Sequence, residues 1–261
     1  MIQATESASV HAARHAENLV RTAPLESVGG YHVRINDRPN FDILRKDIFE
    51  RRCYHFDSTH PDPLILDAGG NIGLSVLYFK REYPKARIIT FEPDPMVLPF
   101  LHENLRGNEL TDVTVVEAAL SSRQDQARFF ADGKYGGALA RAVAVESVGI
   151  PMNVPCVRLR DYLQEPIDFL KMNIEGAEWE VLEDSADSLG RVREMVIEYH
   201  HLPGLPRTLH DILALLHRTG FEYLLNDFDA ETNPYVRPPF RLQATSRYFL
   251  LIYARRRDTI T

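Results

Sequence analysis

From residue 64 onward the chain alternates short apolar runs with helical stretches, and this rhythm restricts the fold more than any other feature. Leu64 to Asp67 is a strand-like run that ends before Gly69 and Gly70, and a helical pattern follows from Leu74 to Tyr83. Further strands are expected at Arg87 to Phe91, Val113 to Glu117, Ile167 to Asn173, Glu194 to Glu198, Phe221 to Leu225 and Arg247 to Tyr253. Helical patterns over Val97 to Leu105, Ala177 to Leu189 and Leu209 to Arg218 fall between them. Strands separated by helices pair in parallel through right-handed crossovers, and ligands gather at the carboxyl ends of such strands. The expected fold is a doubly wound, Rossmann-like α/β sheet.

Residues 1–60 do not share the rhythm. They read as an N-terminal helical extension: one helical pattern from His11 to Thr22, a short extended piece from Tyr31 to Ile35, and a second helical pattern from Phe41 to Tyr54. The extension is the candidate surface for a homo-oligomer. The block His60-Pro61-Asp62-Pro63 separates it from a domain spanning 61–261. A second irregularity lies near 121–160, where Ala127 to Phe130, the turn Lys134-Tyr135-Gly136-Gly137 and Val154 to Leu159 suggest a hairpin insertion in place of a crossover helix. An insertion there stands above the strand ends and shapes a pocket; a plain surface hairpin is the alternative.

Composition excludes several classes. Thirty Lys and Arg against 37 Asp and Glu give a formal charge of -7, which disfavours nucleic acid as a partner. No apolar run approaches the ~18 residues a membrane span needs. Cys53 and Cys156 form neither a disulfide framework nor a metal-ligand pattern, and the N-terminus lacks the basic start and apolar core of a secretion signal. A reducing cytoplasm is the simplest expectation, with no metal.

The strongest local motif is Leu64-Ile65-Leu66-Asp67-Ala68-Gly69-Gly70-Asn71-Ile72-Gly73, a strand that runs into a Gly-rich turn and opens a helix. Glycines at 69 and 73 let backbone approach a ligand closely. The dinucleotide template G-x-G-x-x-G fails whether it starts at Gly69, where Asn71 and Leu74 replace its later glycines, or at Gly70, where Ile72 and Ser75 do. What remains is D-x-G-x-N-x-G, in which an acid at the strand end repels a pyrophosphate and attracts a cation such as an amino acid ammonium. Phe91-Glu92-Pro93-Asp94-Pro95 closes the next strand, and an acid there accepts hydrogen bonds from ribose hydroxyls. Two acids at adjacent strand ends suggest an adenosine-type ligand without phosphates.

Asp67 to Gly73, the FEPDP run, Asn104, Ala118-Ala119-Leu120, the LRDYL run from Leu159 to Leu163 and Lys171-Met172-Asn173-Ile174-Glu175-Gly176-Ala177-Glu178 together resemble the FkbM family of S-adenosylmethionine-dependent methyltransferases over roughly residues 60 to 200. The resemblance implies a class I methyltransferase fold whose seventh strand, here Arg247 to Tyr253, is antiparallel, and methyl transfer to a small-molecule hydroxyl of sugar or natural-product type. It also implies cofactor contacts. Asp67, Gly69, Asn71 and Gly73 would hold the methionine part and Glu92, with Pro93, the ribose. Ala118, Ala119 and Leu120 would flank the adenine, and Asn173 and Glu175 would complete the rim. The chain departs from the family at one point: members usually read K-x-D-x-E-G, and Asn173 stands at the Asp position. An amide orients a ligand but cannot act as a base.

A hydroxyl acceptor has a proton to lose, and histidine is the usual residue to take it near neutral pH. His200 is the first candidate and His201 the second, both expected at the carboxyl end of the fifth strand, on the rim of Asn173 and Glu175. Lys171 and Glu175, on either side of Asn173, are expected to form a loop-fixing pair. With Asn173 in place, a non-catalytic cofactor-binding or scaffold subunit is the alternative reading. A nicotinamide oxidoreductase is disfavoured by the missing phosphate loop.

Overall fold

The computed structural model describes residues 18–134, 137–139, 149–202, 205–227 and 248–259. Residues 11–17 of the expected first helix, Tyr135 and Gly136 of the Gly-rich turn, and the Pro-rich stretch 233–240 lie outside the described residues.

After a helical segment at 18–22 the chain forms a hairpin of β1 (Leu25–Val28) and β2 (Tyr31–Arg34). Gly29 and Gly30 sit at φ 60° and 93° between them, the backbone that a tight two-residue turn demands. β2 falls on the extended piece expected from Tyr31 to Ile35, and β1, which the sequence pattern did not place, pairs with it. Helix α1 (Arg38–Arg45) is capped by Asp37, whose carboxylate accepts from the Asn40 N–H at 2.9 Å, and it passes into one π-helical turn over Lys46–Glu50.

The domain proper runs β3 (Leu64–Ala68), α2 (Leu74–Glu82), β4 (Arg87–Phe91), α3 (Leu98–Gly107) and β5 (Val113–Val116), and then the insertion strands β6 (Ala119–Leu120), β7 (Gln126–Ala131), β8 (Ala138–Leu139) and β9 (Ile150–Val157). It resumes with β10 (Ile167–Met172), α4 (Glu178–Asp184), β11 (Val192–His201), α5 (Leu209–Arg218), β12 (Phe221–Asp227) and β13 (Tyr248–Arg256). The central sheet has the order β12-β13-β11-β10-β3-β4-β5. All neighbours are parallel except β13, which runs antiparallel to both β11 and β12. This is the class I methyltransferase arrangement.

Both faces of the sheet are covered, which is why every residue of β3 is buried. On one face, extension residues Val33, Phe41, Ile48, Tyr54 and Phe56 join Val76, Phe79 and Leu101 in one apolar cluster; on the other, α4 and α5 pack through Val181, Leu182, Ile212 and Leu216. The insertion is a second sheet in the order β6-β9-β7-β8, with β7 antiparallel to its neighbours and β6 parallel to β9. From β3 the chain moves outward to β4 and β5, then returns to β10 on the other flank of β3. The strand order reverses there, so a crevice opens between the carboxyl ends of β3 and β10.

Candidate active site

The turn after β3 is built against both neighbouring strands. The Gly69 and Gly70 N–H groups donate to the Phe91 carbonyl at 3.0 and 2.9 Å. Gly69 stands at φ 87°, and a Cβ on it would lie 1.9 Å from the Asn173 carbonyl oxygen, so only glycine fits between the two loops. Asp67 lies beneath this turn. Its carboxylate is fully buried, with Oδ2 accepting from Ser75 Oγ at 2.8 Å and Thr90 Oγ1 at 2.9 Å. The ammonium of Lys171 stands 3.2 Å from Oδ1 while donating to the carbonyls of Ala68 and Gly69. Lys171 thus pairs with Asp67, not Glu175, and the pair holds the turn from below. This corrects the expected Lys171–Glu175 pair.

Among the described residues, the polar groups left without a partner in the turn are acceptors. Asn71, at φ 48°, donates its Nδ2 to the Lys134 carbonyl, which orients its amide and leaves a buried Oδ1 with no hydrogen bond. Asn173 behaves alike: its N–H donates to the Ala68 carbonyl at 3.0 Å, its Nδ2 to Glu198 Oε2 at 3.1 Å, and its buried Oδ1 has no partner. Two fixed amide oxygens are therefore offered beside the crevice without a donor.

Glu92 closes the adjacent strand end. Its Oε2 accepts from the Asn71 N–H and its Oε1 from the Asp94 N–H, both at 2.8 Å. Burial and the neighbouring Asp94 push its carboxyl up to about 8, and burial pushes Asp94 up to about 6. Pro93 is half-buried beside them. Asp94 Oδ2 accepts from the Gly133 N–H at 3.1 Å, Asn36 Nδ2 donates to the Gly133 carbonyl at 2.8 Å, and Lys134 Nζ pairs with Asp37 at 2.8 Å. Insertion and extension therefore meet across the Gly-rich turn. Ala118, Ala119 and Leu120 follow β5 on the same rim, but all three are buried, Leu120 in the core under the sheet and Ala119 in the core of the insertion.

The histidines end β11. His200 is enclosed by acids: Nδ1 lies 3.1 Å from Glu178 Oε1 and 2.9 Å from the Glu198 carbonyl, and Nε2 lies 3.5 Å from Glu175 Oε1 and 3.7 Å from Glu198 Oε1. Both ring nitrogens therefore face carboxylate or carbonyl oxygens. Burial pulls the ring down, but Glu175, Glu178 and Glu198 outweigh it and raise it to about 10. That environment favours the imidazolium form of His200, which has no lone pair to take a proton. Burial and then Arg207 hold His201 below the usual histidine range, and it too is buried. Glu175, at φ 53°, is raised to about 7 by burial against the pull of His200.

Sequence reasoning missed Tyr54 and Glu198. Tyr54, from the extension, donates its hydroxyl to Glu198 Oε2 at 3.2 Å and lies under the Lys171 ammonium, 5.4 Å from the ring centre. The signal was an aromatic at the end of an amphipathic stretch, with nothing local to show what it meets. A pocket beside His200 is lined by Gly176, Trp179, Glu180, Leu205, Pro206 and Thr208. Among the described residues no cluster of His, Cys, Asp or Glu has the geometry to hold a metal ion, and no helix is long and apolar enough to cross a membrane.

Residues 67–223, more than half of the chain, match the methyltransferase FkbM domain. The chain belongs to the FkbM methyltransferase family. Among curated relatives, methyltransferase sdnD of Sordaria araneosa is 30% identical, over 69% of this chain and 82% of that protein. The 31-O-demethyl-FK506 methyltransferase FkbM of Streptomyces tacrolimicus is 27% identical, over 69% of this chain and 81% of its own length. The 2-O-methyltransferase NoeI of Sinorhizobium fredii is 30% identical over 53% of this chain and 64% of its own. A transferase structure from Pyrococcus horikoshii superposes with a TM-score of 0.50 at 16% identity, covering 90% of this chain and 71% of that one, which speaks for the fold alone. In this FkbM member the match begins at Asp67, so Tyr54, Asn36 and Asp37 reach the site from outside the matched region.

Proposed function

We propose that this chain is an S-adenosylmethionine-dependent O-methyltransferase acting on a hydroxyl of a small molecule, with 61–261 as the methyltransferase domain and 1–60 as its extension. The observation that carries the cofactor assignment is the acceptor-only crevice. Asn71 Oδ1 and Asn173 Oδ1 are buried, oriented and without donors, which suits an amino acid ammonium and opposes a pyrophosphate. The backbone cradle at Gly69 and Gly73 and the Glu92 carboxylate one strand away suit a nucleoside. Two relatives carry O-methylation in their names, which supports oxygen as the acceptor atom.

When bound, the cofactor supplies an electrophilic methyl on a cationic sulfur. Asn71 and Asn173 would fix its amino acid end and Glu92 its ribose. The pocket lined by Trp179, Leu205 and Pro206 would exclude water around the acceptor. Alignment in a dry pocket favours a step in which a cation and an electron-rich oxygen are neutralised together. Asn173 holds a position where the family usually has Asp, and this favours one rival, a binding subunit that does not turn over.

Calorimetric titration with adenosylhomocysteine and NAD, followed by transfer of labelled methyl to a panel of sugars, phenols and hydroxy acids, tests the proposal. Binding of adenosylhomocysteine alone and labelled ether product are expected. Binding of NAD instead overturns the cofactor assignment, and binding without transfer to any acceptor supports the rival.

A further inference from the structure

We propose that Glu175 takes the proton of the acceptor hydroxyl, with His200 as a fixed cation that positions it; this rests on the hydroxyl-methylating reading above. Three carboxylates surround His200, and geometry separates them. Glu178 is 1% exposed and its Oε1 is shared between His200 Nδ1 and the Gly176 N–H. Glu198 Oε2 is occupied by the Tyr54 hydroxyl and the Asn173 amide. The Glu175 side chain is 18% exposed, makes no hydrogen bond among the described residues, and meets only the His200 Nε2 edge at 3.5 Å. Of the three acids it is the most exposed, against 10% for Glu198 and 1% for Glu178, and the one with neither oxygen in a hydrogen bond among the described residues.

Its placement is specific. Glu175 sits two residues past Asn173, whose carbonyl is packed against Gly69 of the crevice turn, and it occupies left-handed backbone that a non-glycine residue adopts only when its surroundings hold it there. His200 also lines the pocket bounded by Gly176, Trp179, Leu205 and Pro206. Glu175 therefore stands between the crevice and this pocket. In the step assigned to it, the acceptor O–H bond breaks and its proton goes to a Glu175 oxygen, giving the neutral acid. The acceptor oxygen's electron pair forms the new bond to the methyl carbon, and the carbon–sulfur pair remains on sulfur as the thioether.

The charges that face Glu175 are His200 and Glu198 from β11, Glu178 from α4 and Asp132 from the insertion. His200 favours its ionised form and the three acids oppose it. The carboxylate is raised to about 7, so activity falls as pH drops through that value.

The test uses the full chain with adenosylhomocysteine bound for NMR, and the hydroxyl panel for turnover. Carbon-13 carboxyl NMR is expected to show Glu175 titrating at about 7, and nitrogen-15 NMR to show His200 keeping both ring protons until pH approaches about 10. Glu175→Gln is expected to lower turnover by at least ~100-fold, the scale of a lost general base, with adenosylhomocysteine affinity unchanged. His200→Gln is expected to move the acid limb of the pH profile upward and Asp132→Asn, which removes one of the opposing acids, to move it downward. Glu175 titrating with ordinary carboxylates, or Glu175→Gln keeping more than about a tenth of turnover, overturns the base role while leaving O-methylation standing. A chain that binds adenosylhomocysteine and methylates no hydroxyl overturns the reading and the base role together.

Discussion

Replacing Gly69 by alanine tests whether the two loops of the crevice are as tightly opposed as the structure shows. The substitution carries two separable costs. Backbone at φ 87° disfavours any L side chain, by about 1–2 kcal/mol. The added methyl would also lie 1.9 Å from the Asn173 oxygen and 3.1 Å from its carbonyl carbon. That oxygen belongs to backbone anchored by the Asn173 N–H bond to Ala68 at 3.0 Å, so it cannot retreat without breaking the join between β3 and β10. Overpacking of this kind adds about 1–3 kcal/mol. Gly220 provides the control: it stands at φ 91° and a methyl added there would meet nothing within 4 Å, so Gly220→Ala carries the backbone cost alone. Urea unfolding should show Gly69→Ala losing about 2–5 kcal/mol and Gly220→Ala about 1–2 kcal/mol, at a common m-value. Adenosylhomocysteine binding should weaken only in Gly69→Ala. Equal losses in the two variants would refute the close approach.

Lys171→Met should cost about 3–5 kcal/mol, because it strands the fully buried Asp67 beneath the turn. Adding Asp67→Asn should recover part of the loss in a double-mutant cycle, and strict additivity would refute the pairing. Asn173→Asp would replace the donor 3.1 Å from Glu198 Oε2 with a second carboxylate. One of the two acids then keeps its proton in the folded state, with its pKa above the unfolded value. The folded protein is least penalised in acid and loses stability as pH rises through that raised value, so melting temperatures of variant and wild type should diverge from about pH 5 to pH 8. A constant gap would refute the coupling.

Regular elements were legible where periodicity was strong and the ends were punctuated. Arg87–Phe91 and Leu209–Arg218 fall where the pattern places them. The helix expected from Ala177 to Leu189 instead stops at Asp184 and continues as a 3-10 turn over Ala186–Arg191. Ser185 lies at the break, and its carbonyl accepts from the Ser188 N–H at 2.8 Å as well as the Leu189 N–H at 3.1 Å, the tighter i+3 bonding of a 3-10 turn. The extended piece at Tyr31 to Ile35 was legible, but its partner β1 was missed because a four-residue strand carries too few alternations to register.

In the site, the positions of Gly69, Asn71, Glu92 and Asn173 followed from their strand ends, but the charge states did not. Glu178 lies 22 positions from His200, and only folding sets it 3.1 Å from the ring. Lys171 is nearer in sequence to Glu175 than to Asp67, yet β10 and β3 place it opposite Asp67 in register. Titration depends on who the neighbours are, and for these residues the neighbours are tertiary.

The meeting of the extension with the insertion has a practical bearing on how such a protein is divided. Asn36 and Asp37 grip the loop that crosses the Gly-rich turn, and Tyr54 anchors an acid beside the histidine cage. A fragment trimmed to begin at the Pro61 block would keep every strand of the central sheet and still lose the bonds that hold this loop and that acid. In this chain, the side chains that brace the site are therefore not confined to the matched segment.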